Sequence, residues 1–259
     1  MKLRMVPARQ GAVWVKMGIR TFFKQPLALS GLFFMFMAAM SVLSMVPVLG
    51  SVVALALLPA ATLGLMAATQ ETTKGKFPMP TVLVSAFRAG RQQLRGMLVL
   101  GALYALGFLL VMGISALADG GQFARLYLVG GELSAELLMQ SDFEWAALTA
   151  MALYLPLSLL FWHAPALVHW HGIAPVKSLF FSLVACLRNF WAFTVFGLVW
   201  MAVFLGTGLV VAIISALLGS PQLVGAILFP TGMAMAAMFF TSLYFTFEDT
   251  FEVSTGDSA

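Results

Sequence analysis

All three histidines of this 259-residue chain fall within Trp162-His163-Ala164-Pro165-Ala166-Leu167-Val168-His169-Trp170-His171. Imidazole is a common ligand for metals and haem iron, so a metal or haem centre is the sharpest chemistry that His163, His169 and His171 allow. Their spacing speaks against it. His169 and His171 are two residues apart and face different directions on a helix; only an extended turn would bring them together. The single cysteine, Cys186, permits neither an internal disulfide nor a multi-cysteine site, and no acid lies in another apolar stretch to complete a ligand set. Walker loops, G-x-S-x-G elbows, HExxH and paired-carboxylate motifs are absent as well. The expectation is therefore no catalytic residue, no cofactor, no metal and no enzymatic activity. His163 stands as the candidate intramembrane polar site, because a polar ring within an apolar span must find a partner or water.

The remaining chemistry belongs to cations. Residues 11–24 place Lys16, Arg20 and Lys24 at i, i+4 and i+8, one helical stripe, with Trp14, Ile19, Phe22 and Phe23 as apolar area. Residues 81–95 repeat the idea with Arg88, Arg91 and Arg95 against Val82, Leu83, Val84 and Phe87. Residues 176–190 carry Lys177 and Arg188 beside Leu179, Phe180, Phe181, Leu183 and Val184. Each stretch predicts an interfacial amphipathic helix, with apolar residues at the acyl boundary and cations among anionic headgroups. These eight cations are the candidate lipid-headgroup contacts. The plainer reading is topological anchoring, since orientation alone requires basic flanks.

The elements that must position these residues follow from composition. The chain is 61% hydrophobic and only 9% charged, against roughly 45–50% and about 25% in a soluble domain. That excludes a soluble enzyme, a nucleic-acid-binding protein and a disordered scaffold. Six uncharged stretches approach the 20 or so residues that a spanning helix needs: about 27–46, 49–69, 97–117, 146–168, 192–217 and 224–247. Short links at Pro47 and at Gly219, Ser220 and Pro221 make the first and last pairs tight hairpins. Thirteen of the 14 basic residues fall in 1–26, 70–96 and 169–191; Arg125 alone lies on the other side, with Asp119, Glu132, Glu136, Asp142 and Glu144. The positive-inside rule then makes both termini cytoplasmic, including the tail 248–259 with Glu248, Asp249, Glu252 and Asp257. A cleaved signal peptide is excluded by the long basic n-region and the missing A-x-A site. The 118–145 segment is a periplasmic insertion, and its stretches Phe123 to Val129 and Leu133 to Met139 predict short helices folding back on the outer surface. The spans hold no acid, which weakens proton-coupled transport.

An internal repeat runs through these elements. Pro59 to Arg91 and Pro156 to Arg188 are each 32 residues, and without gaps they agree at Pro59/Pro156, Leu63/Leu160, Ala67/Ala164, Gly75/Gly172, Pro78/Pro175, Ser85/Ser182 and Arg91/Arg188. Pro230 stands in a similar setting in the last span, and Lys24-Gln25 begins the first hairpin where Arg91-Gln92 and Arg188-Asn189 begin the others. The unit is an amphipathic helix, a basic residue, a span, an outer turn and a proline-containing span, in three copies of one orientation.

Eight blocks, GLFFMFM (31–37), LLPAATLGLMAAT (57–69), GKFPMPT (75–81), AFRAGRQ (86–92), DGGQFAR (119–125), LLFWHAPALVHWHG (159–172), PVKSLFFSLVACLRN (175–189) and FFTSLYFTF (239–247), resemble an uncharacterised family of proteobacterial multi-pass inner-membrane proteins. The resemblance implies an integral inner-membrane protein and carries no catalytic residues. The expected fold is an all-α bundle of six transmembrane helices in three hairpins, one transmembrane domain over 1–259. The expected function is a structural or accessory role through membrane lipids, a membrane-protein partner or a homo-oligomer. The alternatives are a carrier or exporter of a lipid or other hydrophobic solute and, further off, a histidine-based metal or haem enzyme.

Overall fold

A computed structural model describes residues 2–46, 48–131, 133–218 and 222–252. Pro47, Glu132, residues 219–221 and the tail beyond Glu252, Asp257 included, lie outside the described residues, and with them the expected turns at Pro47 and at Gly219, Ser220 and Pro221. In chain order the elements are β1 (Lys2–Leu3), α1 (Gln10–Phe22), α2 (Pro26–Ser44), α3 (Leu49–Thr73), a 3-10 turn (Pro80–Val84), α4 (Ser85–Arg88), α5 (Arg91–Asp119), α6 (Gln122–Val129), α7 (Ala135–Leu138), α8 (Ser141–Phe161), α9 (Ala164–His171), α10 (Pro175–Arg188), α11 (Phe190–Leu217), α12 (Gln222–Thr250) and β2 (Phe251–Glu252). Six segments are long and apolar enough to cross a membrane: α2, α3, α5, α8 with α9, α11 and α12. Even the shortest, α2 with 19 residues, extends about 28 Å, close to the roughly 30 Å of a hydrocarbon core. Pro59, Pro156 and Pro230 lie inside α3, α8 and α12; spanning helices tolerate such prolines because neighbouring groups satisfy the freed carbonyl.

The chain divides into two compact units, one from Met1–Phe36, Thr62–Ser85 and Ala185–Ala259, the other from Met37–Ala61 and Ala86–Val184. In the first, α1 lies against α11 and α12. A Cβ on Gly11 would strike the Ala192 carbonyl, and one on Gly18 would strike Ser242, so glycine is what permits this approach. Trp14 is fully buried, its ring 5.3 Å from Phe193 and 6.2 Å from Phe196. The apolar face expected to enter the acyl boundary is thus committed to protein: Trp14, Val15 and Phe22 are buried, while Phe23 beyond the helix end stays exposed. Apolar surface gains about as much from one nonpolar partner as from another, so amphipathicity alone does not distinguish them.

The two ends of the chain are fastened in the same unit. Lys2 pairs with Glu252 and Leu3 with Phe251 in a two-stranded antiparallel ladder. Asn189 accepts from the Val6 N–H at 2.8 Å and donates to the Arg4 carbonyl at 3.1 Å. Asp249 accepts from Trp14 Nε1 at 2.7 Å and from Gln10 Nε2. The expected tail from residue 248 is therefore folded at its start: Glu248 and Asp249 lie in the last turn of α12, which ends at Thr250, and Phe251–Glu252 form β2.

In the second unit α5 and α8 run antiparallel. Ser115 donates to the Ala146 carbonyl at 2.9 Å, Tyr104 and Tyr154 share a hydrogen bond at 3.3 Å, and Tyr104 meets Phe161 edge-on at 5.0 Å. The insertion folds back as α6 and α7 where its two apolar stretches predicted short helices. Asp119 caps α6, accepting from the N–H groups of Gly121 (2.8 Å) and Phe123 (2.6 Å), and Ser51 donates to the Leu128 carbonyl at 2.8 Å. Tyr127 packs on Phe108 at 5.4 Å.

Two further sequence expectations change in detail. The helix expected over 81–95 is divided by Ala89 and Gly90, the latter at φ 122°, so α4 ends at Arg88 and Arg91 and Arg95 open the spanning helix α5. The span expected over 146–168 breaks after Phe161 and resumes at Ala164.

Candidate functional site

The eight cations singled out from sequence are all exposed: Lys16, Arg20, Lys24, Arg88, Arg91, Arg95, Lys177 and Arg188. None of them pairs with an acid among the described residues. Three of the ten acids are engaged elsewhere: Asp249 holds Trp14, Asp119 caps α6 and Glu248 accepts from the Tyr244 hydroxyl at 3.0 Å. Lys16 and Arg20 ride on the docked helix α1, whereas α10 presents Lys177 and Arg188 together with exposed Val176, Phe180 and Leu187. The apolar-and-basic surface of an interfacial helix therefore survives on α10. Cys186 is buried on the same helix, and burial pushes its thiol up to about 12.

His163 sits in the gap between α8 and α9 with its ring fully buried. Its backbone N–H donates to Ser182 Oγ at 2.9 Å, and the Ser182 hydroxyl donates to the Leu159 carbonyl at 2.8 Å. One serine from α10 thus bridges the Leu159 carbonyl and the His163 N–H, an i/i+4 pair that the helix break separates. The break is invisible to hydropathy, and the bond across it uses the His163 backbone, not its ring. His169 and His171 belong to the last turns of α9, and among the described residues no group of three or more His, Cys, Asp or Glu could hold a metal ion.

A cleft of about 280 Å³ opens at the start of α5. Gln92, Gln93 and Arg95 supply its polar groups; Gly96, Val99, Val168 and the turn from Gly172 to Pro175 complete it. No side chain caps the N-terminus of α5 at Gly90, so first-turn N–H groups and the positive end of the helix dipole remain there. Sequence reasoning found Arg95 through its spacing but missed Gln92, which the repeat already marked, and Gln93, which it did not.

The repeat identifies the corresponding junction in the other unit. Gln25 stands where α5 has Gln92, and Gly75 where the later turn has Gly172; Gly75 and Gly172 share a left-handed backbone, φ 73° and 63°. Here Gln25 Nε2 donates to the Lys76 carbonyl at 3.2 Å. In the same register Ala28, Leu29 and Leu32 replace Arg95, Gly96 and Val99, and both leucines are buried.

No protein-family model matches the chain, and no solved structure matches it. It is 40% identical over 256 residues to a Burkholderia thailandensis protein named "Probable inner membrane protein", covering 98% of this chain and 95% of the relative. Identity at that level over nearly both whole lengths, together with six apolar helices long enough to span, shows that the chain belongs to this family of multi-pass helical inner-membrane proteins.

Proposed function

We propose that the protein is a non-enzymatic accessory protein of the inner membrane that works by holding anionic lipid headgroups on its basic side, which faces the cytoplasm. The observation that carries this reading is the set of eight exposed cations with no acid partner among the described residues. Each such cation near an anionic leaflet is worth about 1 kcal/mol, so eight together give a strong preference for acidic lipid. The pairing of residues 2–3 with 251–252 supports both ends lying on one side, as six spans require. The cation distribution supports that side being the cytoplasm. Headgroup-bound surfaces of this kind can seat a membrane-protein partner or a second copy of the chain.

Native mass spectrometry of the delipidated full-length protein, titrated with phosphatidylglycerol and phosphatidylcholine, tests the reading. The wild type should retain phosphatidylglycerol preferentially, and changing all eight cations to Gln should abolish the preference. Equal retention of the two lipids by the wild type would sink it.

One observation favours a second reading, a carrier of a lipid or other hydrophobic solute. A further cleft of about 310 Å³ lies among the end of α2, the start of α3 and α6, lined by apolar Met40, Leu55, Leu58 and Val129 with Ser44, Ser51 and Tyr127. Transfer of fluorescent phospholipid between leaflets of reconstituted vesicles would distinguish carriage from retention.

A further inference from the structure

We propose that the cleft at the start of α5 binds one anionic glycerophospholipid by its phosphodiester, Arg95 taking the charge and Gln92 and Gln93 donating to phosphate or glycerol oxygens. The inference rests on the headgroup reading above and narrows it to one site. Three features select this ligand. The cleft, about 280 Å³, is a built concavity between two segments of one unit, near the lower end of the size range for small-molecule sites. Its charge is uncompensated, because Arg95 makes neither an ion pair nor a hydrogen bond among the described residues. Its remaining wall is apolar, with Val99, Val168 and Pro175, so a phosphate at the mouth can be continued by the glycerol and first methylenes of a lipid. Inorganic phosphate would leave that wall unused.

The corresponding junction supplies an internal contrast. Where the register substitutes Ala28, Leu29 and Leu32, the same turn is closed by Gln25 bonding to the Lys76 carbonyl. Two copies of one pattern have become a sealed junction and an open one, and the open one carries the arginine. A cleft left over from imperfect packing would have no reason to coincide with the charged copy.

The test is native mass spectrometry on the delipidated full-length protein, titrated separately with phosphatidylglycerol, phosphatidylcholine and inorganic phosphate. One phosphatidylglycerol should be retained more tightly than the rest. Arg95→Gln should weaken that first adduct about five-fold, the value of one cation near an anionic surface. Val99→Phe, which fills the cleft without changing charge, should remove it. Both variants should keep the weaker adducts, and millimolar phosphate should not displace the lipid. If both variants hold the first adduct as the wild type does, the cleft is not the site, while a surviving preference for phosphatidylglycerol leaves the broader reading intact. Loss of lipid to free phosphate would overturn the lipid as ligand. No preference in the wild type would overturn both readings.

Discussion

At the start of α2, Gln25 donates to the backbone of Lys76, with Leu29 and Leu32 buried one and two turns further on. At the start of α5, in the same register, Gln92 and Ile173 both line an open cleft, with Gly96, Val99 and Arg95 beside them. In both, the turn that faces the helix start comes from a later helix that ends at a left-handed glycine, Gly75 or Gly172. The difference lies in side-chain volume and charge at three positions. Repetition provides a scaffold twice over, and a few substitutions at one copy convert a packing contact into a place for a ligand.

A second pair differs in the same instructive way. Ser182 and Ser85 occupy matching positions. Ser182 bonds the backbone on both sides of the α8–α9 break, whereas α3 runs unbroken through Met66, the counterpart of His163, and leaves the buried Ser85 hydroxyl with no hydrogen-bond partner among the described residues.

Four substitutions would sharpen or break these contrasts, the largest first. Trp14→Ala should lower stability by about 3–5 kcal/mol by emptying a fully buried aromatic site, read as a drop in thermal unfolding temperature in detergent. It loosens α1, whose end leads directly into Gln25. Ser182→Ala should cost about 1–3 kcal/mol, because the His163 N–H and Leu159 carbonyl lose their buried partner. Ser85→Ala should stay within about 0.5 kcal/mol, or be slightly stabilising, since it removes a desolvated hydroxyl that bonds to nothing described. Equal effects from the two serines would dissolve that contrast. Smallest is Gln25→Ala, which removes one exposed hydrogen bond and should change stability by a few tenths of a kcal/mol. It should add no lipid adduct, because Ala28 and not arginine stands at that junction.

Chemical labelling offers a further check. With its thiol pushed up to about 12, buried Cys186 should not react with maleimide at pH 8 in the folded protein and should react once unfolded. Native labelling would contradict the burial of that face of α10. A silent Cys186 also leaves cysteines introduced near either terminus as clean reporters of which side of the membrane they face.

Much of the architecture was legible in the sequence, for a plain reason. Spanning helices must satisfy their own backbone in hydrocarbon, so long uncharged stretches have few alternatives, and α2, α3, α11 and α12 begin within two residues of where hydropathy puts them. The insertion helices were readable too, from apolar runs that each follow a glycine pair. What stayed hidden depends on partners far along the chain. The break at Trp162 and His163 is stabilised by a serine 19 residues away. The docking of α1 needs Gly11 and Gly18 beside Ala192 and Ser242, and an apolar face reads alike whether protein or lipid covers it. Arg91 and Arg95 read as part of an interfacial helix because cations spaced by three or four make the same stripe wherever they sit. The turn at Gly90, φ 122°, gives them to α5 instead.

The contrast between the two junctions can be tested most directly with a photoactivatable phosphatidylglycerol, incorporated into vesicles with the full-length protein and mapped by peptide mass spectrometry. The account predicts cross-links concentrated in 92–99 and 168–175, several-fold above those in 25–32 and 75–78. Equal labelling of the two junctions, or labelling that leaves the α5 cleft untouched, would contradict it.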